Sequence, residues 1–356
     1  MEKIKVLMVG PDLSVKGGMT TVVNGYYECG LDKLVDMRFI GTTNDKNMVS
    51  KAFKMLKGFM SFLFSVKKYE IVHIHMASEF SVFRKGLYIR ISKKRGKKVI
   101  LHLHGAEYDH FYNVECNEKR KKYFRRNLEL ADRIIVLSEE WKNYFKSFVD
   151  GKKITVLHNA IKLPPDFEKN TDTKRLLFLG RIGDRKGVFD LIEVVGRLVK
   201  DYPELHLCVG GDGEVEKLKT VIREKNLENY VEYIGWTGGE KKDKYLREAS
   251  YYILPSYNEG MPMSVLEGMG YKNITISTDV GGIPQVIQNG ENGVIIKPGD
   301  TDRLEVELRG LFEDPVLRGK LSSNARKTIE EKFDLDKNVK KVAEIYETEL
   351  SGYEEN

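Results

Sequence analysis

Short runs of β-branched and other apolar residues alternate with longer amphipathic stretches along almost the whole chain. In the first half these runs predict strands at residues 4–9, 37–40, 71–75, 98–104, 133–137 and 154–157. The pattern then restarts and predicts strands at residues 175–179, 205–209, 231–234, 251–254, 274–277 and 294–296. Alternation of this kind is typical of parallel sheets whose strands are joined by crossover helices.

The restart predicts two doubly wound α/β domains, at residues 1–163 and 174–334. Residues 162–173 contain Pro164 and Pro165 without apolar periodicity, which is typical of a linker. Doubly wound sheets bind ligands beyond the carboxyl ends of their strands. Two such domains are expected to face each other across a cleft, so functional residues are expected in the loops that follow the strands.

The composition excludes two classes of protein. Hydrophobic residues make up 41% of the chain and charged residues 31%, which argues against a mainly disordered chain and against an integral membrane protein. The N-terminus runs directly into the first predicted strand, without the apolar core of a signal peptide. The three cysteines are widely spaced and do not form a disulfide framework, so we expect a cytoplasmic protein.

Positive charge is concentrated in one segment. Residues 51–98 carry a net charge of +11, whereas the whole chain carries +6. Within residues 51–66, Lys51, Lys54 and Lys57 share one arc of a predicted helix whose remaining surface is apolar. Such a helix fits an anionic membrane surface, but a crossover helix packed on its sheet with a solvated lysine edge also explains the pattern. No aromatic nucleic-acid-reading motif accompanies the charge, so no nucleic acid partner is expected.

Two loops of the second domain carry residues suited to a phosphate and a sugar. After the first strand of that domain, Arg181 and Lys186 place two cations where a diphosphate would bind. After its fourth strand, residues 255–269 (PSYNEGMPMSVLEGM) predict a loop and then a helix that begins at Met263 or Ser264. Amides at such a helix N-terminus can donate to phosphate or hydroxyl oxygens.

The motifs of the second domain, taken in their order along the chain, resemble those of the family-four retaining glycosyltransferases. The resemblance rests on Arg-x4-Lys-Gly after a strand, on Glu-Gly-x-Pro-x3-Leu-Glu-Gly-Met, and on Gly-Gly-Ile-Pro-Gln-Val-Ile from residue 281 followed by Gly-x-Asn-Gly from residue 290. It implies the GT-B fold of two Rossmann-like domains facing across a cleft, with the last helix, at about 335–356, packing back on the first domain. It also implies an enzyme that needs neither a metal nor another cofactor.

The resemblance implies a role for each matching residue. Arg181 and Lys186 would hold the donor diphosphate and stabilise the leaving nucleotide, Glu259 would bind the donor sugar, and Glu267 would bind the ribose. The first three of these are the catalytic candidates of the second domain. Backbone contacts with the donor are implied for Gly260, Met261, Met263 and Ser264, and for Gly17 and Gly18 of the first domain.

Four histidines lie near the ends of two predicted strands of the first domain. Relatives place a histidine of this domain near the sugar and the acceptor, and His104 matches it as a further catalytic candidate. His73, His75 and His102 share its strand pair, and alternate spacing puts each pair on one strand face. No nearby Cys, Asp or Glu completes a metal site, so no metal is expected and a core role is favoured for these three.

The expected activity is that of a retaining hexosyltransferase. It would move a sugar from a UDP-sugar to a hydroxyl of a saccharide or lipid-linked saccharide, by front-side displacement without a metal. Tyr108, Asp109 and His110 follow the His104 strand and are candidates for acceptor binding. A bacterial surface-polysaccharide pathway at the inner face of the cell membrane is the implied setting. Two alternatives remain: a nonhydrolysing sugar-nucleotide epimerase of the same fold, and a sugar-nucleotide-binding protein without turnover.

Overall fold

The computed structural model describes residues 2–45 and 47–352. The chain divides into two compact units. Met1–Lys162 and Leu335–Asn356 form the first, called here the N-terminal unit, and Leu163–Asp334 forms the second, called the C-terminal unit. The first boundary falls at the start of the predicted linker, and the last helix belongs to the N-terminal unit.

The N-terminal unit contains a six-stranded parallel sheet. Its strands are β1 (Lys5–Gly10), β2 (Asp36–Gly41), β3 (Ile71–Met76), β4 (Lys98–Leu103), β5 (Arg133–Val136) and β6 (Ile154–Val156), in the spatial order β2-β1-β3-β4-β5-β6. The helices between them are α1 (Gly18–Glu28), α2 (Leu31–Leu34), α3 (Met48–Ser65), α4 (Phe80–Lys94), α5 (Tyr108–His110), α6 (Glu118–Leu130) and α7 (Glu139–Phe145). The central strands are buried on both faces, as expected of a sheet covered by helices on both sides.

The C-terminal unit repeats this architecture with a second parallel sheet. Its strands are β7 (Arg175–Leu179), β8 (His206–Gly210), β9 (Val231–Gly235), β10 (Tyr251–Leu254), β11 (Ile274–Thr278) and β12 (Val294–Ile296), in the order β12-β11-β10-β7-β8-β9. Its helices are α8 (Val188–Leu198), α9 (Val215–Glu224), α10 (Gly239–Glu248), α11 (Met263–Gly270), α12 (Thr301–Glu313) and α13 (Pro315–Lys332). The two doubly wound sheets confirm the predicted fold class.

Side-chain caps mark where several of these helices begin. The Asn117 side chain accepts from the Arg120 amide before α6, and Ser138 does the same for Trp141 before α7. Asp314 caps α13, whose first residue is a proline. Short polar side chains satisfy amides that have no partner in the first turn of a helix, so these residues fix the helix starts locally.

The last helix, α14 (Leu335–Ser351), packs against α1 and α2 of the N-terminal unit. Tyr346 is fully buried, and its hydroxyl lies 2.6 Å from Nδ1 of His73 on β3. Arg133 Nε donates to Glu349 Oε1 at 2.6 Å near the other end of the helix. Apolar burial and two polar contacts therefore hold α14 on this unit.

Each sheet has a point where the strand order reverses. The reversal lies between β1 and β3 in the N-terminal unit and between β7 and β10 in the C-terminal unit. Open α/β sheets bind ligands at such points, beyond the carboxyl ends of the strands, because the loops there diverge and leave a crevice. The loops after β7 and β10 contain Arg181, Lys186 and Glu259, so the fold places these candidates at the reversal.

Candidate functional site

The loops that follow β7 and β10 contact each other closely. Gly187 caps the N-terminus of α8 at a φ of +67°, and a Cβ atom at this position would overlap the carbonyl oxygen of Pro255. The Tyr257 amide donates to the Arg185 carbonyl at 2.9 Å, and Arg185 Nη1 donates to the Asn258 carbonyl at 3.0 Å. A residue with a side chain at position 187 would separate the loops, so glycine is required there.

This contact brings Lys186 and Glu259 together as a buried ion pair. Lys186 Nζ donates to Glu259 Oε1, and the Ser256 hydroxyl donates to the same oxygen at 2.7 Å. The two charged side chains are only 15% and 6% exposed. Because desolvated charges are costly unless they are paired and hydrogen-bonded, the pair holds both side chains in one geometry. Ser256 is a site residue that the sequence analysis did not identify.

Arg181 lies in the same loop as Lys186 but differs from it in environment. Its side chain is exposed and makes no hydrogen bond or ion pair with any residue in the described part of the chain. A guanidinium group carries five N–H donors in a planar fork that matches phosphate oxygens. Arg181 therefore leaves a full set of charged donors available to an anion beside the Lys186–Glu259 pair.

Helix α11 supplies the remaining donor-site candidates. Met263 and Ser264 occupy its first turn, where backbone amides have no acceptor within the helix. Glu267 lies one turn further on, and its Oε1 accepts from Lys242 Nζ at 2.6 Å. Its carboxylate is thus oriented by a lysine of α10 that the sequence analysis missed. Gly260 precedes the helix and is buried, and its carbonyl accepts from the Gly282 amide.

In the N-terminal unit, Gly17 and Gly18 lie at the start of α1, after the loop that follows β1. Gly17 is exposed at a φ of +147°, a conformation that favours glycine, and its carbonyl accepts from the Thr20 hydroxyl at 2.7 Å. Gly18 is exposed as well. This is a surface that an anionic group can approach.

His104 follows β4 and belongs to a stack of four imidazole rings. We call His73, His75, His102 and His104 the histidine ladder, because their ring centroids are separated by 4.1–5.4 Å with interplanar angles of 15–31°. His104 Nε2 lies 2.8 Å from His75 Nδ1. Burial lowers the pKa of His104 to about 3, so its ring is neutral at pH 7.

Two groups of side chains in the described residues have donor atoms close enough for a metal. The potential ligand atoms of His73, His75 and His102 lie within 4.8 Å of one another, but stacked rings direct their in-plane lone pairs side by side rather than toward one point. His206, Cys208 and Glu232 form the other group on β8 and β9, where burial raises the pKa of the thiol to about 12. That the enzyme needs no metal stays a prediction.

The three acceptor candidates do not share one environment. Tyr108 is fully buried and its hydroxyl donates to the Met76 carbonyl at 2.7 Å. This corrects the prediction that its side chain binds an acceptor, because the ring packs inside the core. Asp109 and His110 are exposed, and His110 Nδ1 lies 3.2 Å from Glu115 Oε1. These two remain available at the surface.

Helix α3 packs on the sheet of the N-terminal unit through a face that contains Gly58, Phe62 and Ser65. Gly58 and Ser65 face the unit's interior, where a Cβ atom on Gly58 would lie 2.6 Å from the Gly41 carbonyl oxygen. Lys54 pairs with Asp12, whereas Lys51 and Lys57 are exposed. Packing on the sheet and the two exposed lysines fit the alternative of a crossover helix with a solvated lysine edge, and a membrane role of this helix stays a prediction. The outward residues form what we call the α3 apolar face: Met48, Val49, Phe53, Leu56, Met60 and Phe64, which are 41–85% exposed.

The family follows from matches along most of the chain. Residues 159–328 match the family model described as Glycosyl transferases group 1, and residues 34–163 match the model described as Glycosyltransferase Family 4. The chain is a family-four glycosyltransferase. The resemblance noted in the sequence is thereby confirmed.

Relatives and solved structures agree with this assignment. An uncharacterized glycosyltransferase of Methanocaldococcus jannaschii is 27% identical, covering 98% of this chain and 99% of the relative. A poly(ribitol-phosphate) alpha-N-acetylglucosaminyltransferase of Staphylococcus aureus is 25% identical over 68% of this chain and 50% of its own.

Among structures, sucrose-phosphate synthase from Thermosynechococcus elongatus superposes with a TM-score of 0.84 at 16% identity, covering 99% of this glycosyltransferase and 100% of the synthase. Anabaena HepE in complex with UDP superposes with a TM-score of 0.77 at 15% identity, covering 98% and 100%. These likenesses confirm the GT-B fold.

Proposed function

We propose that this glycosyltransferase transfers a hexose from a UDP-sugar to a hydroxyl acceptor with retention of configuration and without a metal. The observation that carries the proposal is the grouping at the β7–β10 reversal of the C-terminal unit. There the buried Lys186–Glu259 pair, the exposed Arg181 and the first turn of α11 belong to one set of loops. The grouping offers cationic and amide donors for a diphosphate and a carboxylate for sugar hydroxyls.

Arg181 and Lys186 supply the charge that a departing nucleoside diphosphate requires. As the sugar–phosphate bond breaks, negative charge develops on the diphosphate, and fixed cations stabilise that charge without reorganising at the moment of reaction. Amides of Met263 and Ser264 add the positive end of a helix dipole. Two cations and a helix N-terminus together perform the role that a divalent metal performs in other transferases.

The chemistry around Glu259 favours front-side displacement. One oxygen of this carboxylate accepts from both Lys186 and Ser256, and this pairing lowers the nucleophilicity of the carboxylate. The acceptor hydroxyl would then attack from the face that the diphosphate leaves, and a leaving phosphate oxygen would take its proton. The alpha linkage in the name of the Staphylococcus aureus relative supports retention, since common nucleotide hexoses are themselves alpha-linked.

UDP is expected to bind with EDTA present at least tenfold more tightly than GDP or ADP. The Anabaena structural neighbour binds UDP, which supports the selectivity. Glu267, oriented by Lys242, would accept from the ribose hydroxyls that all three nucleotides share, so it supports affinity. Calorimetric titration of the three nucleotides measures the ratio of their affinities.

Glu267→Gln should weaken UDP binding about tenfold, because a charge-assisted acceptor becomes neutral.

The matched control is Lys225→Ala, which breaks an exposed ion pair with Glu193 elsewhere in the same unit and should leave UDP affinity unchanged. Equal weakening of UDP binding in Glu267→Gln and Lys225→Ala would argue against a ribose-binding role for Glu267. Product analysis then separates the alternatives: an epimerase converts a UDP-sugar without an acceptor, whereas a binding protein converts none.

We further propose that the enzyme acts on a lipid-linked saccharide while docked on an anionic membrane through the α3 apolar face. Within the described residues no helix is both long enough and apolar enough to cross a bilayer. The α3 apolar face instead exposes aromatic and aliphatic side chains beside Lys57, in a segment that carries net positive charge. An apolar face bordered by cations fits the boundary between anionic headgroups and acyl chains.

Replacing Phe53 and Phe64 with Glu should lower binding to phosphatidylglycerol-containing vesicles at least tenfold. Both rings are exposed, so folding should be preserved while the apolar contact with the bilayer is lost. Flotation with vesicles measures the bound fraction. The control replaces Val306 and Val316 of the C-terminal unit, which are also exposed, with Glu. If both double variants float like the unmodified enzyme, α3 does not contact the membrane.

A further inference from the structure

The histidine ladder has a single opening to solvent. Of its eight ring nitrogens, three are hydrogen-bonded: Nδ1 of His73 to Tyr346, and Nδ1 of His75 with Nε2 of His104. Four are sealed from solvent and have no partner in the described chain, namely Nε2 of His73, Nε2 of His75 and both nitrogens of His102. The remaining nitrogen is Nδ1 of His104, which is neither bonded to a described residue nor sealed. Nδ1 of His104 is therefore the ring nitrogen of the ladder that a ligand can reach.

The hydrogen bond between His75 and His104 contains one proton, and its position decides what His104 presents. If His75 Nδ1 donates, His104 accepts at Nε2 and carries its own proton on Nδ1. If His104 Nε2 donates instead, His75 must carry its proton on Nε2, where the N–H is buried without an acceptor. Buried donors without acceptors are rarer than buried acceptors without donors, which favours the first arrangement.

Both rings are neutral in this environment. Burial lowers the pKa of His104 to about 3 and lowers that of His75 well below its ordinary value, and neighbouring histidines lower the pKa of His75 further. The His75 ring is also fixed in place, because it stacks against His73 and His102 and packs at a tilt against Tyr26. A neutral, immobile ring can hold its partner in one tautomer.

We propose that His75 is a positioning residue that holds His104 in the tautomer with its proton on Nδ1. His104 then presents an N–H donor at Nδ1 and does not act as a base there. His75 itself is fully buried and touches no substrate. The inference rests on the proposed function only in its kinetic test, which measures sugar transfer; the tautomer is a property of the unliganded protein.

The tautomer is read directly by long-range ¹H–¹⁵N correlation spectra of the full-length protein labelled in its histidine rings. His104→Gln assigns the His104 signals by their loss. In the unmodified protein Nδ1 of His104 should be the protonated nitrogen. His75→Leu should shift the population toward protonated Nε2, and His75→Gln should do the same, because its amide reaches the position of the ring Nε2 rather than Nδ1. His75→Asn, whose amide nitrogen can occupy the Nδ1 position, should restore the original tautomer.

The matched control is His102→Leu, which removes an equally buried ring from the ladder but no hydrogen bond. It should leave the tautomer of His104 unchanged. Protonated Nε2 in the unmodified protein, or the same His104 spectrum with and without His75, would overturn the proposal. Equal spectral changes in His102→Leu and His75→Leu would assign the effect to packing and would also overturn it.

Kinetics give a second measurement. His75→Leu should lower kcat for sugar transfer about tenfold, His75→Asn should recover most of that loss, and the affinity for UDP should not change. If the unmodified enzyme transfers no sugar from any nucleotide donor, the proposed function fails, while the ring spectra still decide whether His75 sets the tautomer of His104.

Discussion

Lys186→Ala is expected to lower kcat/KM for sugar transfer by about three orders of magnitude. Removing the ammonium group deletes a charge-assisted contact with the leaving diphosphate, a type of transition-state contact worth roughly 10²–10³-fold in rate. It also leaves Glu259 buried with its charge unpaired, so the loop that binds the sugar should lose its geometry. Transfer to a soluble acceptor, measured at several donor concentrations, tests the expected loss.

The loss must be separated from simple destabilisation. An unpaired buried carboxylate costs about 3–5 kcal/mol, so Lys186→Ala should also lower the free energy of unfolding in urea. Lys186→Met combined with Glu259→Gln removes both charges and should recover most of that stability while transfer stays low. Lys225→Ala again serves as the exposed ion-pair control. Recovery of transfer in the double variant would mean that Lys186 supports the fold and not the chemistry.

The fold could be predicted from sequence because the strands carry their signal locally. All twelve predicted strands are present, and their ends differ from the observed ends by no more than one residue. Parallel strands covered on both faces need continuous apolar runs, and the intervening stretches are long enough for crossover helices. The reversal of strand order, by contrast, is a property of the whole sheet that no local pattern records.

The pairing of Lys186 with Glu259 could not be predicted for the same reason. The two residues are 73 positions apart in sequence, and they meet because β7 and β10 are neighbours in the sheet. Each residue could be assigned to a donor site separately, through its own motif. Lys242, which orients Glu267, belongs to no motif. Its contact with Glu267 depends on how α10 lies beside α11, which no local sequence pattern records.

Helix α3 shows another limit of sequence reasoning. Periodicity identifies the residues that share a helix face, but it does not state which face meets the sheet. Here Gly58 permits a close approach to the Gly41 carbonyl, so a face with Gly58, Phe62 and Ser65 is buried and a second, broad apolar face stays outside. Apolar residues lie on both faces of this helix, so the apolar pattern alone does not identify the buried one.

Gly281→Ala should lower the free energy of unfolding by about 2–4 kcal/mol and weaken UDP-sugar binding at least tenfold. Gly281 adopts a φ of +55°, which alone costs a residue with a side chain roughly 1 kcal/mol or more. A Cβ atom there would also overlap the Glu259 carbonyl oxygen and lie 3.0 Å from the Gly260 carbonyl oxygen. The loop that carries Glu259 must therefore shift, and we expect the shift to disturb its pairing with Lys186. Urea unfolding and calorimetry measure the two losses on one preparation.

Gly290→Ala separates backbone strain from this contact. Gly290 has a φ of +75°, but no heavy atom lies within 4 Å of the position that its Cβ would occupy. This variant should lower the free energy of unfolding by only about 1 kcal/mol, the cost of its backbone conformation, and should bind the donor as before. Equal effects of the two substitutions on binding would show that the Glu259 loop tolerates displacement. A large loss of donor binding in Gly281→Ala alone would mean that the position of the Glu259 carboxylate depends on close backbone packing between the loops after β10 and β11. This dependence explains why a glycine far from Lys186 in sequence belongs to the same site.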